Sequence, residues 1–232
     1  MEGRPLKTVY LGRMPEVKKA TLGEMLVAEF NAVISERPDL DVCFASDGAP
    51  QHWILLDQMK ASLPEAMRAR SMSLVDAFHV AEYLQAAADA AKGAGPEARI
   101  LATEWREMVK ELDDGPDKVL VAMRYQRSKL KGARRKELDK AIGYIANQRA
   151  ADRMRYAEAL SRKLPIGTGV TEAAAKTVVG VRMKRAGARY SQHGGQTILL
   201  FRTAVLSGRF DSLSRQLEVT YTAKVYPLKS AA

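Results

Sequence analysis

Apolar residues recur at two different spacings along the chain. In Ala20–Glu36, Leu22, Met25, Leu26, Ala28, Phe30, Val33 and Ile34 fall three and four apart, and Pro38 follows. That is the period of a helix with one apolar face, ended by a residue that cannot continue it. Two short runs behave differently. Asp41–Ser46 (DVCFAS) and Ser71–Val75 (SMSLV) are largely apolar throughout, and stop at Asp47-Gly48 and at Asp76. Such runs predict buried strands ending in turns. Lys7–Arg13 (KTVYLGR), β-branched and aromatic, predicts another strand, and Trp53–Met59 a helix. The first 80 residues therefore alternate strand, helix, strand, helix, strand, which predicts an α/β layer with a mainly parallel sheet.

The pattern changes after His79. Val80–Lys92 is Ala-rich and helical, and helical spacing continues through Ala98–Leu112, Lys118–Leu130 and Arg134–Leu164. Breaks fall at Gly93–Gly95 and Asp113–Pro116. Residues 80–163 are thus expected to form an all-helical insertion or second domain between residues 1–79 and 164–208. After the loop Pro165–Gly169, Thr171 is placed to cap a helix running to Arg185, with Glu172 in its first turn. A further helix is expected from Ser191 to about Gly208, interrupted at Gly194-Gly195. Residues 209–232 form a tail in which Leu217–Val225 has the character of a strand.

Composition narrows the class of partner. The chain has 232 residues, 47% apolar and 28% charged, which suits one or two globular domains. Lysine and arginine number 37 against 27 acids, a net charge of +10 with a pI near 9.7. A balance that basic points to a polyanion, nucleic acid before a membrane surface. The single cysteine, Cys43, excludes an internal disulfide and a cysteine zinc site, and reads as an inert core thiol in a reducing compartment. No apolar stretch reaches membrane-spanning length, and no signal-peptide core follows Met1. The expectation is a cytoplasmic protein with no membrane partner.

Three acids occupy informative places. Asp47 and Asp76 each follow a predicted buried strand, and Glu172 opens a late helix. At the carboxyl ends of parallel strands, side chains distant in sequence can converge. Converging carboxylates bind Mg²⁺ or Mn²⁺, and two such ions can drive phosphoryl transfer. Each acid also has a plainer reading, as a turn former or as a partner of the helix dipole. His79, three residues after Asp76, could share a helix face with it, or simply pack near the sheet. His52 and His193 have no partner spacing that singles them out, and there is no Walker loop, zinc spacing or Gly-x-Ser-x-Gly element.

Two stretches are basic and free of acids. Between residues 124 and 136 stand Arg124, Arg127, Lys129, Lys131, Arg134, Arg135 and Lys136. Between residues 173 and 210 stand Lys176, Arg182, Lys184, Arg185, Arg189, Arg202 and Arg209. A charge run is usually a solvated face. Here the length of the runs, and the start of the second just after Glu172, favour contacts to a phosphate backbone, which carry no sequence information. Tyr125 and Tyr190 could stack on bases or simply pack.

Several ordered motifs resemble one family. Thr8–Glu16 (TVYLGRMPE) with Lys19–Leu22 (KATL), Ser46–Ala49 (SDGA) with Trp53-Ile54, Asp76–Val80 (DAFHV) with Glu82–Leu84, and Gly167–Ala174 (GTGVTEAA) with Lys176-Thr177 are similar to stretches of bacterial insertion-sequence transposases of the Kra type. So are Arg182–Gly187, Gly194–Gln196 and Ser207–Arg209, and the likeness spans roughly residues 8–210. The resemblance implies an RNase H-like core with a DDE acid triad, a helical insertion before the last acid, Mg²⁺ or Mn²⁺ as cofactor, and DNA ends and target DNA as partners. It further implies a homo-oligomer when full-length. It places the second catalytic acid at Asp47 and the third at Glu172, both as metal ligands, with His79 in support and Asp76 as the rival for the second acid.

One departure changes that expectation. The family's first Asp would precede the strand at Lys7, yet no Asp occurs before Asp39. The resemblance therefore implies an N-terminally truncated transposase, missing its first strands and catalytically incomplete alone. The alternatives are a non-catalytic basic DNA-binding remnant and a small helical protein that binds nucleic acid.

Overall fold

Two parallel strands of four residues, β1 (Cys43–Ser46) and β2 (Met72–Val75), form the only ladder among the described residues. Cys43 is level with Met72 and Ser46 with Val75. The computed structural model describes residues 8–16 and 20–225, and the chain divides into two units, Glu36–Gly169 and Met1–Ser35 with Val170–Ala232.

In Glu36–Gly169, all four residues of β2 are buried. The edge of β2 away from β1 is satisfied without a third strand. The Val75 amide donates to the Arg153 carbonyl at 2.9 Å, and the Tyr156 hydroxyl donates to the Val75 carbonyl at 2.7 Å. Buried backbone groups need such partners, and here a loop and a side chain supply them. Helices α2 (Pro50–Ala61) and α3 (Glu65–Arg70) join the strands, α2 opening with proline in its first turn, where its missing N–H costs nothing. After β2 come α4 (Ala77–Lys92), α5 (Pro96–Glu111), α6 (Gly115–Ser128), α7 (Gly132–Ala150) and α8 (Tyr156–Ser161).

Their order of packing follows from their apolar faces. Helix α5 buries Ala98, Ala102, Trp105 and Val109, spaced four and three apart. Helix α4 packs on α5 and α7, α6 on both of those, and α8 on α5. One continuous core results, running from Trp53, Leu74 and Val75 through Leu84 and Trp105 to Met123, Leu138 and Ile145. Each fully buried large side chain there contributes about 1.5–3 kcal/mol. The close approach of α6 to α5 requires Gly115, where a Cβ would lie 1.9 Å from the Met108 carbonyl oxygen. Helix α7 ends in a left-handed residue, Asp152 (φ 56°), and α8 in another, Lys163 (φ 56°).

The other unit contains α1 (Ala20–Glu36), α9 (Gly169–Ala174) continuing through a π-helical segment Ala175–Gly180 into α10 (Val181–Met183), α11 (Gln192–Leu206) and α12 (Phe210–Val225). The Ser191 hydroxyl caps α11 by accepting from the Gly194 amide at 3.0 Å. Arg209 forms a paired contact with Glu29. Val178 and Leu199 are its buried apolar residues among those described.

The architecture is all-helical, 71% helix with only two short strands, and this overturns the expected RNase H-like α/β core. The segment Thr8–Arg13 forms no strand; its Lys7 lies outside the described residues. The Tyr10 amide donates instead to Ser207 Oγ at 2.9 Å, and the nearby Met14 amide to Gln196 Oε1 at 3.0 Å. Gln196 of α11 and Ser207 just beyond it thus take these two amides through their side chains. Leu217–Val225 is helical within α12, and residues 226–232 of the expected tail lie outside the described residues. Thr171 lies inside α9 instead of capping it, and Gly194-Gly195 continues α11 instead of breaking it. The single helix expected over Arg134–Leu164 is divided by the left-handed turn at Asp152.

Candidate functional site

The parallel register sets Asp47 and Asp76 at the same end of the strand pair, each following the last residue of its strand. The Asp76 amide donates to the Ser46 carbonyl at 2.9 Å, which ties the two turns together.

Asp47 Oδ1 accepts from the Ala49 amide at 3.1 Å and lies 3.0 Å from His52 Nδ1, on the first turn of α2. Its backbone carbonyl accepts from Trp53 Nε1 at 3.0 Å. Partial burial works against ionisation of this carboxyl. The Ala49 amide, the His52 hydrogen bond and the charges of His52 and His79 outweigh it and hold the group below its ordinary value.

Asp76 is fully buried and caps α4. Its Oδ1 accepts from the Phe78 amide at 2.6 Å and the His79 amide at 3.4 Å. Its Oδ2 accepts from the Thr168 amide at 2.5 Å and from the Thr168 hydroxyl. Burial again raises this carboxyl, and the four donors overcome it and lower it. His79 Nδ1 lies 3.2 Å from Glu82 Oε2.

Tyr144 of α7 completes the cluster. Its ring stacks on Tyr83 at 3.7 Å with the planes 8° apart. A Cβ on Gly48 would fall 2.5 Å from that ring, so the turn after β1 passes directly over it. The Tyr144 hydroxyl is buried without a hydrogen-bond partner. Burial, and then the charges of Tyr83, Asp47, Asp76 and Glu82, push it well above the ordinary phenol range.

Three of the sequence-predicted residues, Asp47, Asp76 and His79, therefore come together. His52, Tyr83, Tyr144 and Thr168 belong to the same cluster, beyond the acids that sequence position marks. Two signals were present: His52 stands five residues after Asp47, and Thr168 sits inside the Gly167–Gly169 loop. Tyr144 had none, because its place depends on how α7 packs. Glu172 is exposed on α9, in the other unit.

This cluster does not fit a divalent ion. Among the described residues no group of three or more His, Cys, Asp and Glu side chains is placed to hold one. Both oxygens of Asp76 are occupied by protein donors, and Oδ1 of Asp47 by the Ala49 amide and His52. A carboxylate committed to N–H and O–H donors has less to offer a cation that needs several oxygens.

The basic residues divide by what they already hold. Arg127 pairs with Asp139, Lys129 lies 3.8 Å from the Tyr125 ring centroid, and Arg134 donates to the Ala90 and Ala91 carbonyls at 2.7 and 2.9 Å, closing the end of α4. Arg202 donates to the Val178 carbonyl at 2.9 Å. Arg124 in α6, and Lys131 and Arg135 at the start of α7, are exposed. In the other unit Lys176, Arg182, Lys184, Arg185 and Arg189 are all exposed, Arg185 spending only its Nε on the Val181 carbonyl at 3.0 Å.

Among the described residues no helix is long and apolar enough to cross a membrane. Compared with protein-family models, with curated proteins and with solved structures, the chain matches none.

Proposed function

We propose that this chain binds duplex DNA, without sequence preference, as part of a transposase of the insertion-sequence kind, and that it acts in the cytoplasm. The observation that carries the reading is the exposure of Lys176, Arg182, Lys184, Arg185 and Arg189 in a stretch without a single acid from residue 173 to 210. Exposed cations of this density attract a phosphate backbone and gain entropy from the counterions it releases. The transposase part of the proposal rests on the family resemblance. Its support is that motifs far apart in sequence, at Asp47, at Asp76 with His79, and at Thr168, meet at one end of the strand pair.

The carboxylates of the cluster hold protein donors and not the ions that metal-assisted cleavage would use. Asp76 acts here as a latch, and Asp47 with His52 as the outer, partly exposed acid. The test is a fluorescence anisotropy titration of a labelled duplex with the chain and with the variant Arg182→Glu/Lys184→Glu/Arg185→Glu. The reading expects binding by the chain and a loss of at least tenfold in the variant. Equal affinity in both would overturn it.

A further inference from the structure

Between α4 and α5, within Glu36–Gly169, lies a cavity of about 530 Å³. Val80, Leu84, Val109 and Tyr156 give it a buried apolar floor. From α4 the further contributions are Ala77 and Ala81, whose single methyl groups leave the space open. From α5 come Thr103, Arg106, Glu107 and Lys110, spaced three and four apart on one helix face. Phe78 lines the cavity as well, yet 70% of its surface is exposed.

That combination describes its ligand. An apolar floor beside an exposed aromatic ring suits a flat, weakly polar body that can stack. Arg106 and Lys110 suit an anion attached to it. Arg106 Nη2 is steadied by donating to Thr103 Oγ1 at 2.8 Å, and Nε by the Ala102 carbonyl at 3.2 Å. Nη1 is then the nitrogen placed for a phosphate oxygen. Glu107, exposed at the rim, is an acceptor; an acyl chain gives it nothing, whereas the exocyclic amino group of cytosine, adenine or guanine can donate to it. Resting on the DNA-binding reading above, we propose that this cavity holds one unpaired nucleobase of a DNA strand. The base lies against Phe78, its amino group faces Glu107, and the adjoining phosphate sits on Arg106 and Lys110.

The test compares a short paired duplex with the same duplex carrying one extra, unpaired cytosine. Proteins are the full chain, Phe78→Ala and Ala81→Leu, with circular dichroism confirming that each is folded. Phe78→Ala removes the stacking ring from an exposed position, and Ala81→Leu fills the cavity without altering charge. The chain should prefer the bulged duplex by about 5- to 150-fold, the range that base–aromatic stacking commands. Both variants should reduce that ratio towards one while keeping the affinity for paired DNA. A ratio of one in the unaltered chain overturns the cavity proposal and leaves duplex binding standing. So does a ratio that survives both substitutions. Cytidine monophosphate binding as tightly as the bulged duplex overturns the DNA strand as the source of the base. Binding to neither duplex overturns both this proposal and the reading beneath it.

Discussion

The buried carboxylate of Asp76 holds Thr168, 92 positions further along the chain, by both its amide and its hydroxyl. With its other oxygen the same side chain caps α4 through the Phe78 and His79 amides. One residue thus fixes the start of a core helix and the loop that closes the unit.

The latch predicts a coupled loss of stability. Asp76→Asn keeps the shape but turns an amino group towards the donors of Thr168, and should cost about 2–3 kcal/mol. Thr168→Val should cost about 1 kcal/mol alone and much less once Asp76 is already changed. Urea unfolding of the double-mutant cycle reads the coupling, and strict additivity would show that the contact is idle. The pH dependence has a definite sign. Because the folded carboxyl lies below its ordinary value, its contribution is complete above the unfolded value of about 4 and fades as pH falls through the lower folded value. The gap between the unaltered chain and Asp76→Asn should therefore be full at neutral pH and shrink in acid.

Tyr144 makes the opposite prediction. Its hydroxyl is buried and unpartnered, so Tyr144→Phe should leave stability unchanged or raise it by up to about 1 kcal/mol. Gly48→Ala, which drives a methyl group into the same ring, should destabilise by about 1–3 kcal/mol. Thermal melts of the two variants should move in different directions or leave Tyr144→Phe unmoved. A large loss on Tyr144→Phe would mean that the hydroxyl has a partner.

Much of the helical layout is legible from apolar spacing. Ala20–Glu36 is one helix, and the two runs ending at Asp47 and Asp76 are the two strands. Fold class was not, because an alternation of strands and helices does not reveal how many edges the strands leave open. Arg153 and Tyr156 close the edge of β2, and neither carries a strand signal. Thr8–Arg13 has the composition of a strand, but its Tyr10 amide donates to Ser207, just beyond α11, instead of to a neighbouring strand. The turn at Asp152 hid because it uses an aspartate where glycine would have announced it. In the cluster, the residues after strands were legible from position alone. Tyr144 and Thr168 depend on tertiary packing, which spacing does not encode.

The end of α8 offers a stabilising change. Lys163 adopts φ 56°, a left-handed conformation that costs a side-chain-bearing residue about 1–2 kcal/mol and glycine almost nothing. Lys163→Gly should recover about 1 kcal/mol, less the extra entropy of glycine in the unfolded chain. In differential scanning calorimetry the melting temperature should rise by less than the roughly 2–4 °C that a full 1 kcal/mol would give. A fall would show that the lysine side chain has a role of its own.

Because the cluster does not fit a divalent ion, the chain by itself should not cut DNA. Incubation of supercoiled plasmid with the chain and Mg²⁺ or Mn²⁺ should leave the plasmid intact, as read on an agarose gel. Nicking that disappears in Asp47→Asn would reverse this view of the cluster.

The central claim is that exposed cations bind the phosphate backbone, and salt dependence tests it most directly. The logarithm of affinity for duplex DNA, plotted against the logarithm of salt concentration, should fall by about 0.9 for each phosphate contacted. Replacing Arg182, Lys184 and Arg185 by alanine should reduce that slope by about 2–3 while the variant remains folded. A slope near zero for the unaltered chain, or one that the triple variant leaves untouched, would contradict the account.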